Sequence, residues 1–199
     1  MQQRSDEWFA ARLGKVTASR VVDVMAKKTT GAYRNYMVDL LCERLAGTKR
    51  EMYVNEAMQR GIDLEPVARI MYEQDNLCLV EECGLIDHPE IYGFSASPDG
   101  LVGDDGLIEI KCPNTSTHID FLMTQNPAEK YMWQMAAQMA CTNRDWVDFV
   151  SFDDRLPGHM ALRQVRIHRD LDRERRMLDT VKDFLSELND LMKLAEVGL

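Results

Sequence analysis

The 199-residue chain has no apolar run long enough to span a bilayer, and its opening residues, Met1 to Glu7, lack the apolar core of a signal peptide. Both absences predict a cytoplasmic protein without a membrane partner. No Gly-rich phosphate loop is present, so nucleotide hydrolysis of the P-loop kind is not expected. Linkers, repeats and low-complexity tracts are also missing, and one domain over residues 1–199 with a real core is the expectation. Cysteine is sparse and odd in number, five, with Cys78 and Cys83 the only close pair. This argues against a disulfide framework, zinc and iron–sulfur ligation, and for reduced thiols. The four histidines, His88, His118, His159 and His168, show neither metal spacing nor a Ser-His-Asp arrangement, and loop or edge positions are their default reading. Cations are in deficit: 24 Lys and Arg face 33 Asp and Glu, for a net charge of −9. A passive nucleic-acid coat is therefore disfavoured, because Lys and Arg dominate phosphate binding. An enzyme that gathers its cations in one cleft and its acids around metal ions remains compatible.

What the chain does contain alternates between helical and strand patterns. Ser5 begins a capping pattern ahead of Trp8, Phe9 and Leu13. Gly14 to Ser19 reads as a loop, with Thr17 or Ser19 capping a helix through Val21, Val22 and Met25. Helices are predicted over about 32–45, ending near Gly47, and over about 55–75, with Gly61 and Pro66 disturbing the middle. Strand patterns cover 77–86, 91–96 and 107–111, in a curled antiparallel arrangement. Asn126-Pro127 opens a Met- and Ala-rich helix to about Cys141, with Pro at the favoured first position. Residues 146–152 and 160–168 read as two further strands. From about Asp170, Leu178, Val181, Leu185, Leu188, Met192 and Ala195 recur at three- and four-residue steps, which gives a helix with one apolar stripe. The order predicts an α/β fold with a central mixed sheet flanked by helices.

Two turns frame the chemistry. Ser97-Pro98-Asp99-Gly100 carries Asp99, and Gly103 to Gly106 leads into Leu107-Ile108-Glu109-Ile110-Lys111. Successive strand side chains alternate, so Glu109 and Lys111 share a face and Ile110 points to the other. Two acids and an amine there form a hard-cation site beside a positive charge, which suits phosphodiester hydrolysis. The plainer reading is a surface hairpin with solvated charges. Glu65, on the helix after Gly61, is available as a third carboxylate. Arg12 and Ser19 flank the early loop, and Gln134 lies on the helix after the strand. Oxygen ligands with room for water favour Mg²⁺ or Mn²⁺ over zinc.

Asp99…Glu109-x-Lys111 resembles the PD-(D/E)xK nuclease motif, and the wider set resembles the exonuclease of phage lambda and its recombination-associated relatives. The matching pieces are Trp8-x-x-x-Arg12-Leu-Gly-x-x-Thr17-Ala-Ser19, Gly61-x-x-x-Glu65, Ser97-Pro-Asp99-Gly, Leu107-Ile-Glu109-Ile-Lys111-Cys-Pro and Tyr131-Met-x-Gln134-x-x-x-Gln138. They occur in family order to about residue 140, and the last strands and helix fit less distinctively. The resemblance implies a restriction-endonuclease-like core with two Mg²⁺ ions per site. Asp99, Glu109 and the Ile110 carbonyl would hold metal, and Glu65 would help with the second ion. Lys111 would orient or deprotonate the attacking water, and Gln134 would support it. Arg12, Ser19 and Ser97 would grip the 5′-terminal phosphate. The implied activity is 5′-to-3′ digestion of duplex DNA ends, by a ring-shaped trimer with a single-strand annealing partner, in a bacterium or phage-infected host. One departure stands out: Glu56 occupies a position where relatives can carry Lys, so Arg12 is expected to bear more of the phosphate.

Rival readings remain open: an endonuclease of the same superfamily, a non-catalytic DNA-end-binding module, or more distantly a small-molecule enzyme. Arg12 also reads as a surface salt bridge, and Ser19 as a plain helix cap. The run of Arg163, Arg166, Arg169, Arg173, Arg175 and Arg176 reads equally as a solvated face or a DNA-facing channel. Met52, Met58, Met132, Met135 and Met139 read as core filling, with Met52 or Met58 also placed to splay a duplex end.

Overall fold

The computed structural model describes residues 3–48 and 55–197, so Met52 lies outside the described residues. Helix α1 (Asp6–Arg12) starts where expected, with the Ser5 hydroxyl accepting from the Trp8 N–H. Strand β1 (Val16–Thr17) and a 3₁₀ turn (Ala18–Arg20) lead into the short helix α2 (Val21–Val24). Neither Thr17 nor Ser19 caps it by a side chain. Thr17 is instead committed to strand pairing with Ser95, and its N–H donates to the Tyr36 hydroxyl.

Helix α3 (Gly31–Ala46) is capped by Thr30 and stopped by Gly47 at φ +65°. Helix α4 (Glu56–Asn76) starts at the Asn55 cap and continues through Gly61 and Pro66 without interruption. The expected disturbance is absent, because Ala68 and Tyr72 bury the second half against the sheet and outweigh the lost hydrogen bond at proline.

The predicted strand at 77–86 breaks up. Leu77 is the left-handed cap of α4 and is exposed, followed by β2 (Val80–Glu81) and β3 (Ile86–Asp87). Then come β4 (Phe94–Ala96), β5 (Gly100–Val102) and β6 (Gly106–Lys111). Helix α5 (Thr115–Thr124) was not anticipated; its signal is Asn114, whose side chain accepts from the Thr117 N–H. Helix α6 (Glu129–Thr142) begins two residues after Pro127, with Ala128 at its cap. Strand β7 (Trp146–Phe152) has the expected bounds. Met160 belongs to the helical turn α7 (Gly158–Ala161) rather than to β8 (Leu162–His168). Helix α8 (Leu171–Val197) closes the chain.

Two sheets form instead of one. The smaller has the order β1-β4-β3, and the larger is β2-β5-β6-β7-β8. Strands β6 and β7 are parallel and the other pairs of the larger sheet antiparallel, so the class is α/β with mixed sheets flanked by helices. Ile108, Ile110, Val150 and Phe152 pack on α4 from one face. Leu107, Val147 and Phe149 pack on Phe121 of α5 and on Met135 and Met139 of α6 from the other. Helix α8 buries Met177, Val181, Phe184, Leu185 and Leu188 against the α2–α3–α6 cluster, so its stripe is core. Met135 and Met139 are core as expected, whereas Met58 is exposed. Among the described residues no helix is long and apolar enough to cross a membrane.

Candidate active site

The β5–β6 hairpin sets the carboxylate pair. Gly100 leaves room for the Val80 side chain, which a Cβ there would meet at 2.1 Å. The Asp99 N–H donates to the Ile108 carbonyl at 3.2 Å, and the Asp99 carboxylate accepts from the Ile110 N–H at 2.7 Å. The alternating faces are as expected. Ile110 points into the α4 side, while Glu109 is fully buried on the α6 side and carries an ion pair with Lys111. The solvated surface hairpin is therefore not what forms.

Gln134 and Gln138, one turn apart on α6, both donate to Glu109, at 2.7 and 2.5 Å. Gln138 is fully buried and its Oε1 has no partner, so its amide is turned to serve the carboxylate at the expense of its own acceptor. Gln138 was part of the sequence pattern without a role, and its spacing of four from Gln134 is the signal that could have assigned one.

Burial, and then the charge of Glu109, push the Asp99 carboxyl well above its ordinary range, with Glu65 adding to the repulsion. Burial pulls the Lys111 ammonium down, but Glu109 and Asp99 more than offset it and hold the group above its ordinary value. Two hard carboxylates in mutual repulsion fit a hard cation chemically. A third carboxylate is not gathered with them: Glu65 pairs with Arg4 at 2.7 Å and Arg69 at 3.1 Å. Among the described residues, no group of three or more His, Cys, Asp or Glu forms a ready-made metal cage. Glu65 can join a cation only by exchanging those arginines.

Beside Gln134 opens a cavity of about 160 Å³ lined by Arg4, Trp8, Arg12, Ser19, Ser97 and Gln134. It brings together the residues expected from the early loop and the Asp99 turn. Trp8 is the element that joins them: its indole N–H donates to Ser97 Oγ at 3.0 Å, and the Arg12 guanidinium stacks 4.0 Å from its ring centroid. Arg12 also donates to Thr17 at 3.5 Å and has no acid in ion-pair contact among the described residues, unlike a surface salt bridge. Burial lowers the pKa of its guanidinium. Arg4 was missed by sequence reasoning, and only the fold reveals it. Gln3 donates to the carbonyls of Cys83 and Pro98, which anchors this segment against the Asp99 turn.

The arginine run resolves largely into internal pairing. Arg166 holds Asp148, Arg169 holds Glu174, and Arg173 holds Glu129 and stacks on Trp133. His118 is neither loop nor edge: it lies on α5, fully buried, and bonds Ser151 and the Met160 carbonyl.

Comparison with known proteins places the chain in a family. Residues 7–145 match the YqaJ-like viral recombinase domain. An alkaline exonuclease from Laribacter hongkongensis, LHK-Exo, is 53% identical, with a TM-score of 0.94 over 98% of this chain and 97% of that one. The same enzyme in complex with dAMP superposes equally well. A phage-related exonuclease from Haemophilus somnus 129PT shares the fold at 15% identity, with a TM-score of 0.71 over 89% of this chain and 96% of that one. A search of curated protein sequences returned no match.

Proposed function

Because the chain belongs to the YqaJ-like viral recombinase domain family, a lambda-exonuclease-like nuclease family, we propose that it is a Mg²⁺-dependent exonuclease digesting one strand of duplex DNA from the 5′ end. It releases mononucleotides and leaves a 3′ single-stranded tail for annealing recombination. One observation carries this reading: Gln134 lines the cationic cavity and also hydrogen-bonds Glu109. An end-phosphate site and a carboxylate pair are thus one side chain apart. Identity of 53% to an alkaline exonuclease supports the same reading.

In this proposal Arg12, Ser19 and Ser97 receive the 5′-terminal phosphate, and Arg4 supplies a cation that the Glu56 departure removes elsewhere. Arginine suits the task because its planar fork matches two phosphate oxygens. Asp99, Glu109 and the Ile110 carbonyl would hold Mg²⁺ or Mn²⁺, with Glu65 assisting a second ion after release from Arg4 and Arg69. Divalent cations, when bound, neutralise phosphate charge and lower the pKa of water. Lys111, paired with Glu109 in the metal-free site, would orient or deprotonate the attacking water beside the ions. Gln134 and Gln138 fix the Glu109 carboxylate, so its orientation costs nothing further during reaction. One nuclease domain, assembled as a ring-shaped trimer and working with a single-strand annealing protein, completes the proposal.

A linear duplex with a 5′-phosphate and strand-specific labels tests it. Mononucleotides should appear from the 5′-labelled end in Mg²⁺, and Lys111→Met should lower the rate about 10²–10⁴-fold. Release from 3′ ends alone would overturn the polarity, and cutting of a covalently closed circle would favour the endonuclease reading.

A further inference from the structure

We propose that a second cavity, of about 220 Å³ between α5 and α6 beside Lys111, holds the base of a nucleotide flanking the scissile phosphate. This rests on the nuclease reading and names a subsite within it. The parallel register pairs Glu109 with Phe149 and Lys111 with Ser151, so all four side chains share the α6 face of the sheet. The cavity therefore begins at the proposed catalytic amine and runs along the neighbouring strand. Its lining includes Phe149, flanked by Phe121 with ring centroids 5.1 Å apart and by Tyr131 at 5.3 Å. Tyr131 is only partly buried, and the Lys130 and Lys111 amines lie 4.7 and 5.5 Å from its ring centroid, so a planar ligand stacks there by displacing the exposed Lys130. Aromatic surfaces of this kind take any base, since every base has a π-face.

Charge selects which part of a nucleotide enters. Lys111 is the single cation among the lining residues, and Asp120 lies at the rim. An acid at the rim disfavours phosphate and leaves the uncharged base as the fitting group. The polar contact within is fixed by a buried pair that the nuclease mechanism does not use. His118 Nε2 lies 2.8 Å from the Met160 carbonyl, which can only accept, so Nε2 carries the proton. In the neutral ring Nδ1 is then the acceptor, and it takes the Ser151 hydroxyl proton across 2.7 Å. Ser151 Oγ is thereby left with lone pairs as its remaining hydrogen-bonding capacity, in the wall of the cavity. Adenine, cytosine, guanine and thymine all carry an N–H on the pairing edge. A single fixed acceptor serves all four, as an enzyme digesting a strand of any sequence requires.

The test is fluorescence titration in Mg²⁺ with 2-aminopurine deoxyribonucleoside 5′-monophosphate, competed by dAMP or by 2-deoxyribose 5-phosphate. Stacking should quench the probe, and dAMP should compete at least about tenfold better than the sugar phosphate. Tyr131→Leu should remove that advantage, and Tyr131→Phe, which keeps the ring and tests folding, should retain it. Ser151→Ala should reduce the advantage a few-fold. Equal competition by the two ligands, absence of quenching, or an undiminished advantage in Tyr131→Leu overturns the subsite. Duplex digestion is measured separately, so a protein that releases mononucleotides without favouring the base overturns the subsite and leaves the nuclease reading standing.

Discussion

At the scale of single residues, Asp99 is the group most at odds with its surroundings. Burial and the Glu109 charge raise its pKa in the folded chain above the unfolded value. Its protonation therefore stabilises the fold at low pH, and that contribution is lost as pH rises through the folded value. Asp99→Asn keeps an oxygen for the Ile110 N–H and removes the charge. In chelator at neutral pH this substitution should raise Tm by about 2–4 °C, and should flatten the rise in Tm that the parent shows on acidification toward about pH 5. A calorimetric scan at several pH values checks it, and a lowered neutral-pH Tm would show that Asp99 is stabilising as a carboxylate. The chain thus gives up stability where the proposed mechanism places a cation, a frequent trade at reactive sites. Glu109 and Lys111 were legible as a pair because strand alternation puts them on one face, and Asp99 because a Pro-Asp-Gly turn precedes that strand. Arg4 was not legible, since nothing local in the first residues shows that they fold back onto the Asp99 turn.

At the scale of elements, the parallel contact of β6 and β7 is the frame on which the α5–α6 cavity hangs. It depends on Gly106: a Cβ there would meet the Trp146 ring at 2.0 Å, at a ring that also carries the Arg166 guanidinium 3.5 Å from its centroid. Gly106→Ala should cost about 1–3 kcal/mol of stability, read as a lower urea midpoint with an unchanged slope. An unchanged midpoint would mean that Trp146 moves freely. Long elements with strong periodicity, β7 and α8 among them, could be read from sequence, as could α1 and α3 from their caps. The short strands could not, because two- and three-residue strands hold by pairing with distant partners such as Val16 with Phe94. Helix α5 was missed because its Thr-rich start resembles a loop, and only Asn114 announces it.

At the scale of the whole molecule, the net charge of −9 must be reconciled with a polyanionic substrate. Arg12 lines its cavity without an ion-paired acid among the described residues, whereas Arg4 is paired with Glu65 and most arginines of the 163–176 run are tied to acids. In the proposed ring, retention on DNA would fall to geometry, since a closed ring holds its substrate topologically instead of by electrostatic grip. Three 22.9 kDa chains should sediment as one species at working concentrations, and processive digestion should outlast a rise in salt that abolishes initiation. Sedimentation equilibrium and a salt-jump digestion assay check the two halves, and a monomer would remove the topological argument.

The anchoring of Gln3 to the Asp99 turn, and of Arg4 to Glu65, has a practical side. An affinity handle on the N-terminal side of Gln3 would load the segment that holds the Asp99 turn and Glu65, the carboxylate proposed to assist a second cation. Placed after Leu199, beyond the long closing helix, the same handle would avoid that anchored segment.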